Sequence, residues 1–460
     1  MSDRLLSVGL DVGTTTTQLV VSQLTAQNKD SAFAVPQMEI TDRKVLYRGQ
    51  VHFTPLLSGD LVDAQALRQI VTEEYAKAGI RPRDVDTGAI IITGETSRKE
   101  NAAAVLQALS QYAGEFVVAT AGPELESMLA AKGAGAVERS RRHSGLLLHM
   151  DIGGGTSNLA LIEDGRIVRT GCFNVGGRLL KTDRRGMLTY ISPVLQGLIR
   201  LQTGEILTAQ QRETVAQMLT QALEMAAGLR EQTQLLDQLM TKELSIPWVP
   251  PDSPVTVSFS GGVADCIEKE AEDLAFGDIG PALGRAIRQS RLCQQTYFLG
   301  EETIRATVIG AGCHSTQLSG STVYYRDVAL PVKNLPVAVF TRQEQESAEL
   351  PGLIRSRLAQ KDTDAVVLAL EGYEAPTYAA VQRLAEAILA GVGDRPIWVC
   401  LQQDMAKALG HSLSLRCPPG RSCLCIDSLQ LEENSFLDIG LPVGPCLPVV
   451  LKTLVLSSSQ

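Results

Sequence analysis

The residues best placed to do chemistry are an aspartate, three glycines and a threonine in one short stretch. Asp151 comes near the end of an apolar run from Leu146, and Gly153–Gly155 and Thr156 separate that run from another that reaches Ile162. The pattern predicts a strand, a tight turn and a second strand. Glycines let backbone N–H groups approach a large anion, and an aspartate can hold a divalent cation or orient a water. A plain β-hairpin is the structural alternative.

The same arrangement occurs near the N-terminus. Asp11 comes at the end of the apolar run Leu5–Val12, and Gly13 with the threonines Thr14–Thr17 precedes another apolar run. An aspartate at the same place before both turns argues against two unrelated hairpins. Two facing hairpins of this kind could hold a polyphosphate and its Mg²⁺ from both sides. The sequence has no Gly-x-x-x-x-Gly-Lys-Ser/Thr run, so we expect no P-loop.

Two later glycine-rich stretches are candidates for contact with a nucleoside. The apolar run Val255–Phe259 leads into Ser260–Val263 and then into a helix predicted at about 264–274. Backbone without bulky side chains at the start of a helix suits a nucleoside or a phosphate. A plain strand-to-helix turn would have the same composition. A further turn is predicted at Val308–Ser315.

Predicted strands and helices alternate around these four stretches, which indicates an α/β fold with a mixed sheet. The apolar spacing of Thr208–Leu229 predicts an amphipathic helix, which Glu231–Met240 could continue. Other strands are predicted at 44–53, 88–93, 115–119, 364–370 and 396–401, and other helices at 60–78, 122–132 and 378–390, with one more starting at 405–409.

Composition limits the class of protein. A chain of 460 residues is long enough for about two or three domains. The net charge of −9 and the pI near 5.3 argue against a nucleic-acid or membrane surface as partner. We expect no membrane span and no signal peptide. The nine cysteines, an odd number scattered along the chain, indicate reduced thiols and a cytoplasmic location.

With the four stretches in this order, residues 5–320 resemble the actin-like ATPase superfamily of sugar kinases, heat-shock ATPases and actin. The resemblance implies an α/β fold with two duplicated lobes, each a mixed β-sheet flanked by helices, that hold ATP and Mg²⁺ between them. The lobes would span 1–135 and 136–320. Residues 321–460 would form a C-terminal α/β accessory domain.

The resemblance also implies roles for single residues. Asp11 and Asp151 would hold Mg²⁺ through waters and take part in catalysis. The earlier hinge segment departs from the family, because Gly122 precedes Pro123, and which carboxylate positions the hydrolytic water, Glu124, Glu126 or neither, stays open. The nucleotide would contact two hairpins, an adenosine segment and a late hinge helix, namely Gly13, Thr14, Thr15 and Thr16; Gly153, Gly154, Gly155 and Thr156; Ser260, Gly261, Gly262 and Val263; and Gly310, Ala311 and Gly312.

Within the superfamily, Gly9–Thr16, Ile92–Asn101 and the whole-chain length are similar to the ethanolamine ammonia-lyase reactivating factors. These are ATP-dependent chaperones that exchange damaged cobalamin for intact adenosylcobalamin. The resemblance implies ethanolamine ammonia-lyase as partner, slow ATPase activity with ATP and ADP as ligands, and association with a bacterial microcompartment. Self-association into a homo-oligomer is left open.

Three other functions stay open: a small-molecule kinase, an actin-like filament or scaffold ATPase, and a nucleotide-binding module without hydrolysis. A kinase would need a catalytic aspartate over a substrate pocket, for which the sequence offers no convincing candidate. Cys417, Cys423 and Cys425 are close enough to suggest a metal, but no second cluster follows, which favours a loop with reduced cysteines. His314 lacks an Asp-x-His-x-x-Gly cobalamin signature and is interpreted as structural.

Overall fold

The structure is a computed structural model, and its description covers most of the chain. Thr14, Thr15 and the predicted family stretch at 94–101 lie outside the described residues. Within the described part of the chain, no helix is both long and apolar enough to cross a membrane. The described residues are 3–13, 16–28, 38–58, 61–93, 105, 109, 117–120, 123–142, 145–241, 255–314, 316–319, 322–361, 363–429, 431, 435–442 and 446–453.

The first sheet grows from the N-terminal hairpin. Its region contains β1 (Asp3–Val12), β2 (Thr16–Asn28), β3 (Met38–Arg48), β4 (His52–Phe53), β5 (Leu56–Ser58), β6 (Leu61–Val62), α1 (Ala64–Ala78), a 3-10 turn (Pro82–Asp84), β7 (Thr87–Ile92) and β8 (Val117–Thr120). The strand order is β3-β2-β1-β7-β8: β1 to β3 are antiparallel, and β7 and β8 add in parallel. The Asp63 side chain caps the start of α1, so the helix begins four residues later than predicted. Gly79 ends it in the left-handed conformation.

The second sheet repeats this plan. Its region contains β9 (Leu146–Ile152), β10 (Ser157–Glu163), β11 (Arg166–Phe173), β12 (Leu180–Thr182), β13 (Leu188–Ile191), a 3-10 turn (Pro193–Leu195), β14 (Val255–Ser260) and β15 (Tyr297–Leu299). The order β11-β10-β9-β14-β15 again has an antiparallel hairpin followed by two parallel strands. The predicted duplication of an actin-like fold is therefore confirmed.

The helices of the middle region cover and connect the two sheets. They are α2 (Pro123–Gly133), α3 (Ala136–Ser140), α4 (Ala209–Ala226), α5 (Gln234–Leu239), α6 (Asp265–Glu268), α7 (Gly280–Gln289), α8 (Arg291–Gln294) and α9 (Ala306–His314). Helix α2 follows the first sheet but packs on the second, and α9 follows the second sheet but packs on the first. The two helices cross at glycines: a Cβ on Gly310 would overlap the carbonyl of Leu129, and one on Gly133 would overlap that of Ala306. This close crossing joins the two halves.

Three local predictions are wrong. The turn predicted from composition at 308–315 is helical through His314, because small residues let α9 cross α2 at close range. The family resemblance, which implied a late hinge helix at Gly310–Gly312, was right about this segment. The helix predicted at 264–274 ends at Glu268. The amphipathic helix α4 does not continue into 231–240, because the chain turns at Gly228, which has a positive φ, before α5 begins.

The C-terminal region is an α/β unit built on a third sheet, in which β18 to β21 are parallel neighbours. Val450 packs with Ala89 and Ile91, so this region rests on the first sheet. Its α/β character was predicted, while the limits 1–135, 136–320 and 321–460 stay predictions. Its elements are β16 (Thr316–Leu318), β17 (Tyr324–Arg326), β18 (Val332–Val339), α10 (Arg342–Glu346), α11 (Leu350–Ala359), β19 (Val367–Leu370), α12 (Tyr378–Val392), β20 (Ile397–Leu401), α13 (Ala406–Ser414), β21 (Cys423–Ile426), β22 (Ser435–Ile439) and β23 (Pro448–Thr453).

Candidate functional site

The two glycine-rich hairpin turns meet at one cleft of about 580 Å³ between the duplicated halves. The cleft brings together residues that are far apart in the sequence, including both aspartates that precede the turns. The residues predicted for the site that line it are Asp11, Gly13, Thr16, Glu126, Asp151, Gly153, Gly154, Gly155, Thr156, Gly261, Gly262 and Val263.

Other predicted residues lie elsewhere. Gly310, Ala311 and Gly312 are buried in α9, where they pack against α2 and the first sheet rather than line the cleft. The close contacts of Gly310 with Leu129 and of Gly312 with Gly9 give these glycines a packing role. Their assignment as nucleotide contacts stays a prediction. Glu124 is exposed at the start of α2, whereas Glu126, two residues further along the helix, lines the cleft. Thr14 and Thr15 are not described.

Asp11 lies at the end of β1 on the floor of the cleft. Its Oδ1 accepts a hydrogen bond of 2.8 Å from the Thr93 hydroxyl, which follows the neighbouring strand β7. The pKa of Asp11 is raised to about 7, mainly by burial and to a smaller extent by the negative charge of Asp151, against the opposing effect of the Thr93 hydrogen bond. The charged form of Asp11 is therefore costly until a cation approaches it.

Asp151 occupies the equivalent place on β9. The Ser260 hydroxyl donates to Asp151 Oδ1, and the Thr307 hydroxyl lies 3.5 Å from Oδ2. Burial raises the pKa of Asp151 to about 6 in spite of these two hydrogen bonds. Ser260, which was predicted to contact the nucleoside, is buried at the end of β14 and supports this carboxylate, and its contact with a nucleoside stays a prediction.

A fully buried histidine lies behind Asp151, and sequence reasoning missed it. His149 Nε2 is 3.0 Å from the Ser260 hydroxyl, and Nδ1 is 2.8 Å from the Ser258 hydroxyl. Burial lowers the pKa of His149 to about 3, so the ring is neutral. Because residues two apart on a strand share a face, the spacing of His149 and Asp151 was the available signal.

Two other backbone segments approach the second hairpin closely, and the glycines that this approach requires lie on those segments: a Cβ on Gly176 would overlap the carbonyl of Gly154. The N–H of Gly177 donates to the carbonyl of Gly153 at 3.0 Å, and the N–H of Arg178 donates to that of Gly154 at 2.6 Å. Gly261 has a φ of 87°, and a Cβ there would overlap the carbonyl of Ile152. Three backbone segments thus meet without side-chain bulk at the wall of the cleft.

Side chains also meet across the mouth of the cleft, and none of them was predicted. The Arg178 guanidinium is 5.2 Å from the centroid of the Phe53 ring, and its Nε is 3.0 Å from Asp278 Oδ2. Phe53 is 72% exposed, so this contact lies at the solvent edge. Deeper in the cleft, the Gln18 side chain donates to the carbonyl of Ile304 at 3.0 Å. The halves are therefore in direct contact around the cleft.

The ligand donors suit a hydrated hard cation. The cleft has the two buried carboxylates of Asp11 and Asp151, with hydroxyl oxygens beside them. Among the described residues, no three or more His, Cys, Asp or Glu side chains are grouped closely enough to hold a metal by themselves. Cys417, Cys423 and Cys425 are therefore not such a group. Mg²⁺ takes one or two carboxylates and keeps several waters, so the cleft fits it.

Two like-folded halves around a cleft with paired aspartates and glycine turns define a member of the actin-like ATPase class. The chain belongs to the family described as Ethanolamine utilisation protein EutA, whose sequence model matches residues 3–457. It is 40% identical over 471 residues to ethanolamine ammonia-lyase reactivase EutA of Salmonella typhimurium, covering 99% of both chains. It is 38% identical over 483 residues to the Escherichia coli K12 protein of the same name, again covering 99% of both. Among solved structures, a Ppx/GppA family member from Aquifex aeolicus is similar, with 12% identity, a TM-score of 0.41, and coverage of 67% of this chain and 97% of that one.

Proposed function

We propose that this protein is an ATP-dependent reactivating chaperone of ethanolamine ammonia-lyase, which releases damaged cobalamin so that intact adenosylcobalamin can bind. Membership of the EutA family and the two relatives named ethanolamine ammonia-lyase reactivase support the client. The single structural observation behind the ATP-dependence is the pair Asp11 and Asp151, which two hairpins of the same topology present to one cleft.

ATP is proposed to bind in this cleft. Its phosphates would lie against the backbone of Gly153–Gly155 and Thr156, with Gly13 and Thr16 on the opposite side. The N–H of Gly153 already donates to the Thr156 carbonyl at 2.9 Å, so the donors to phosphate would come from the residues between them. The adenosine would lie near Gly261–Val263. Asp11 and Asp151 would hold Mg²⁺, and this cation would neutralise phosphate charge when bound.

Glu126 is the carboxylate we propose for orienting the hydrolytic water. It lines the cleft, whereas Glu124, two residues earlier, is exposed at the start of the helix. A general base has to reach the water that it activates, so a residue in the cleft is favoured over one in solvent. Replacement of Glu126 by Gln should slow ATP hydrolysis with little change in ATP affinity, and replacement of Glu124 serves as its control.

Hydrolysis would be coupled to the client through the relative position of the two halves. Loss of the γ-phosphate removes contacts that join the two hairpins, and only ligands with different affinities for the two states can shift their populations. The crossing of α2 and α9 is the shared joint about which the halves could move. Ethanolamine ammonia-lyase would then bind one state better than the other.

The test is recovery of a blocked client. Ethanolamine ammonia-lyase inactivated with cyanocobalamin would be incubated with this protein, Mg²⁺, adenosylcobalamin and either ATP or ADP, and lyase activity would be followed. We expect recovery with ATP and much less with ADP. Folded protein that restores no activity with ATP would overturn the proposed function, and product formation from ATP and ethanolamine would instead favour a kinase.

A further inference from the structure

Two amide side chains occupy equivalent places in the two halves of the cleft. Gln18 lies seven residues after Asp11, and Asn158 lies seven residues after Asp151. The strand register pairs Asp11 directly with Gln18 and Asp151 directly with Asn158. Side chains of directly opposed residues in antiparallel strands share a face, so each carboxylate has an amide beside it. All four residues line the cleft.

Both amides are buried and incompletely bonded. Gln18 is 3% exposed and Asn158 is 2% exposed. The Gln18 Nε2 donates to the carbonyl of Ile304, which identifies Oε1 as the other atom, and Oε1 has no hydrogen-bond partner among the described residues. Asn158 Oδ1 likewise has none there. Within the part of the chain that the structure describes, these two oxygens are the buried, unpartnered side-chain atoms of residues that line the cleft.

The chemistry of an amide oxygen restricts what the missing partner is. An amide oxygen accepts hydrogen bonds and binds cations, so it cannot pair with an unprotonated phosphate oxygen or with the neighbouring carboxylates once these are ionised to hold a cation, since all of these groups only accept. The partner must be a hydrogen-bond donor or a cation. The water shell of a divalent cation supplies outward-pointing O–H groups, and Mg²⁺ gives up its waters reluctantly.

We propose that the amide oxygens of Gln18 and Asn158, one from each half, accept hydrogen bonds from water molecules bound to the cation. They would orient these waters beside Asp11 and Asp151. The proposal rests on the function proposed above, because it concerns the same nucleotide cleft. Each half contributes one carboxylate and one neutral oxygen. Together these four groups would accept more hydrogen bonds from the waters of the cation than the two carboxylates alone, and they would do so from both halves.

The test measures cation binding directly, with Mn²⁺ as the probe. Mn²⁺ would be titrated into protein saturated with ADP, and free Mn²⁺ would be followed by electron paramagnetic resonance. Removal of one acceptor in Asn158→Leu or Gln18→Met should weaken Mn²⁺ binding about tenfold, the usual effect of one hydrogen bond. Binding of ADP without a divalent cation should change little. Asn158→Asp, which keeps an acceptor and adds charge, should bind Mn²⁺ at least as well as the wild type.

A stability measurement separates this role from ordinary packing. Asn158→Leu removes an unpartnered buried oxygen, so the cation-free variant should unfold at the same or a higher temperature than the wild type. The matched control is Gln345→Met in the C-terminal region, because both polar atoms of the Gln345 amide are bonded to Gly372. This control should unfold earlier and bind Mn²⁺ normally.

The outcomes distinguish the two proposals. If the wild-type protein binds Mn²⁺ with ADP and the Asn158 and Gln18 variants bind it equally well, the amide inference is wrong and the ATP site stands. If the wild-type protein binds neither Mn²⁺ nor ADP, the proposed nucleotide function is wrong and the amide inference falls with it.

Discussion

Replacement of Asp151 by asparagine should make the cation-free protein more stable and at the same time abolish its response to Mg²⁺. In the wild type the Ser260 hydroxyl donates to one oxygen of Asp151 and the Thr307 hydroxyl to the other. Asparagine keeps one oxygen that can accept from Ser260, and its NH₂ group can donate to the Thr307 hydroxyl oxygen, so both neighbours keep a hydrogen-bond partner. What the substitution removes is a buried negative charge. A residue that serves only the fold would show the opposite result.

The size of the effect follows from the pKa. Burial raises the pKa of Asp151 from 3.8 to about 6. An acid with a raised pKa in the folded state costs stability as the pH rises through this interval, and the cost is complete above it. Two pKa units correspond to about 3 kcal/mol at pH 8 and to almost nothing below pH 4.

The assay is urea unfolding of wild type and Asp151→Asn at pH 4 and pH 8, each with and without Mg²⁺ and ADP. We expect the variant to gain up to about 3 kcal/mol at pH 8 without ligand and to match the wild type at pH 4. Mg²⁺ with ADP should stabilise the wild type more at pH 8 than at pH 5, since the cation needs both carboxylates ionised. Asp164→Asn, an exposed change in the turn between β10 and β11 of the same sheet, is the control.

Two results would refute this reasoning. Equal stability of Asp151→Asn and wild type at both pH values would mean that the buried charge carries no cost in the free protein. A normal Mg²⁺ response in the variant, with normal lyase reactivation, would mean that Asp151 does not hold the cation. Either result would require another assignment for the second hairpin.

Three further predictions concern the joint, the mouth and the buried histidine. Gly310→Ala should destabilise the protein by roughly 1–3 kcal/mol in urea unfolding, because its Cβ overlaps the crossing helix, whereas Gly352→Ala, which meets no atom within 4 Å, should not. Phe53→Ala removes the contact with Arg178 across the cleft, worth about 0.5–1 kcal/mol, and should speed release of a fluorescent ADP about two- to fivefold in stopped flow. Burial lowers the pKa of His149 to about 3 in the folded protein, so protonation of this histidine below pH 6.5 favours the unfolded chain. The free energy of unfolding should therefore be about 2 kcal/mol lower at pH 5 than above pH 6.5, and His149→Gln should flatten this part of the pH profile.

Local sequence patterns predicted the parts of the site that lie on continuous strands and turns. The two hairpins, with Asp11 and Asp151 before their glycines, face one cleft as expected. The composition of a turn does not determine which way its hydroxyl points, so Ser260 was assigned to the nucleoside although it bonds to Asp151. Glycines around residue 310 have two uses in proteins, contact with a ligand and close helix packing, and only the three-dimensional crossing distinguishes them.

The missed residues depend on contacts between distant segments. Phe53 and Arg178 lie in different halves, more than a hundred residues apart in the sequence, and no periodicity links the two positions. The amides are different, because the equal spacing of Gln18 from Asp11 and of Asn158 from Asp151 was visible in the sequence. Duplication makes such spacing informative. Polar residues at the same offset in both copies occupy equivalent strand positions, so their side chains point to equivalent sides of the two sheets.

The position of the C-terminal region has a consequence for coupling to the client. Its strand β23 packs through Val450 onto Ala89 and Ile91 of the first sheet, and the same cluster contains Leu129 of α2 and Ala311 of α9. The contact therefore lies directly beside the crossing about which the two halves could move. If nucleotide turnover changes the angle between the halves, this region has to follow the first sheet or lose an apolar contact. A small rotation at the cleft would become a larger displacement at the far edge of the third sheet. We therefore expect the client to bind there with an affinity that depends on the bound nucleotide.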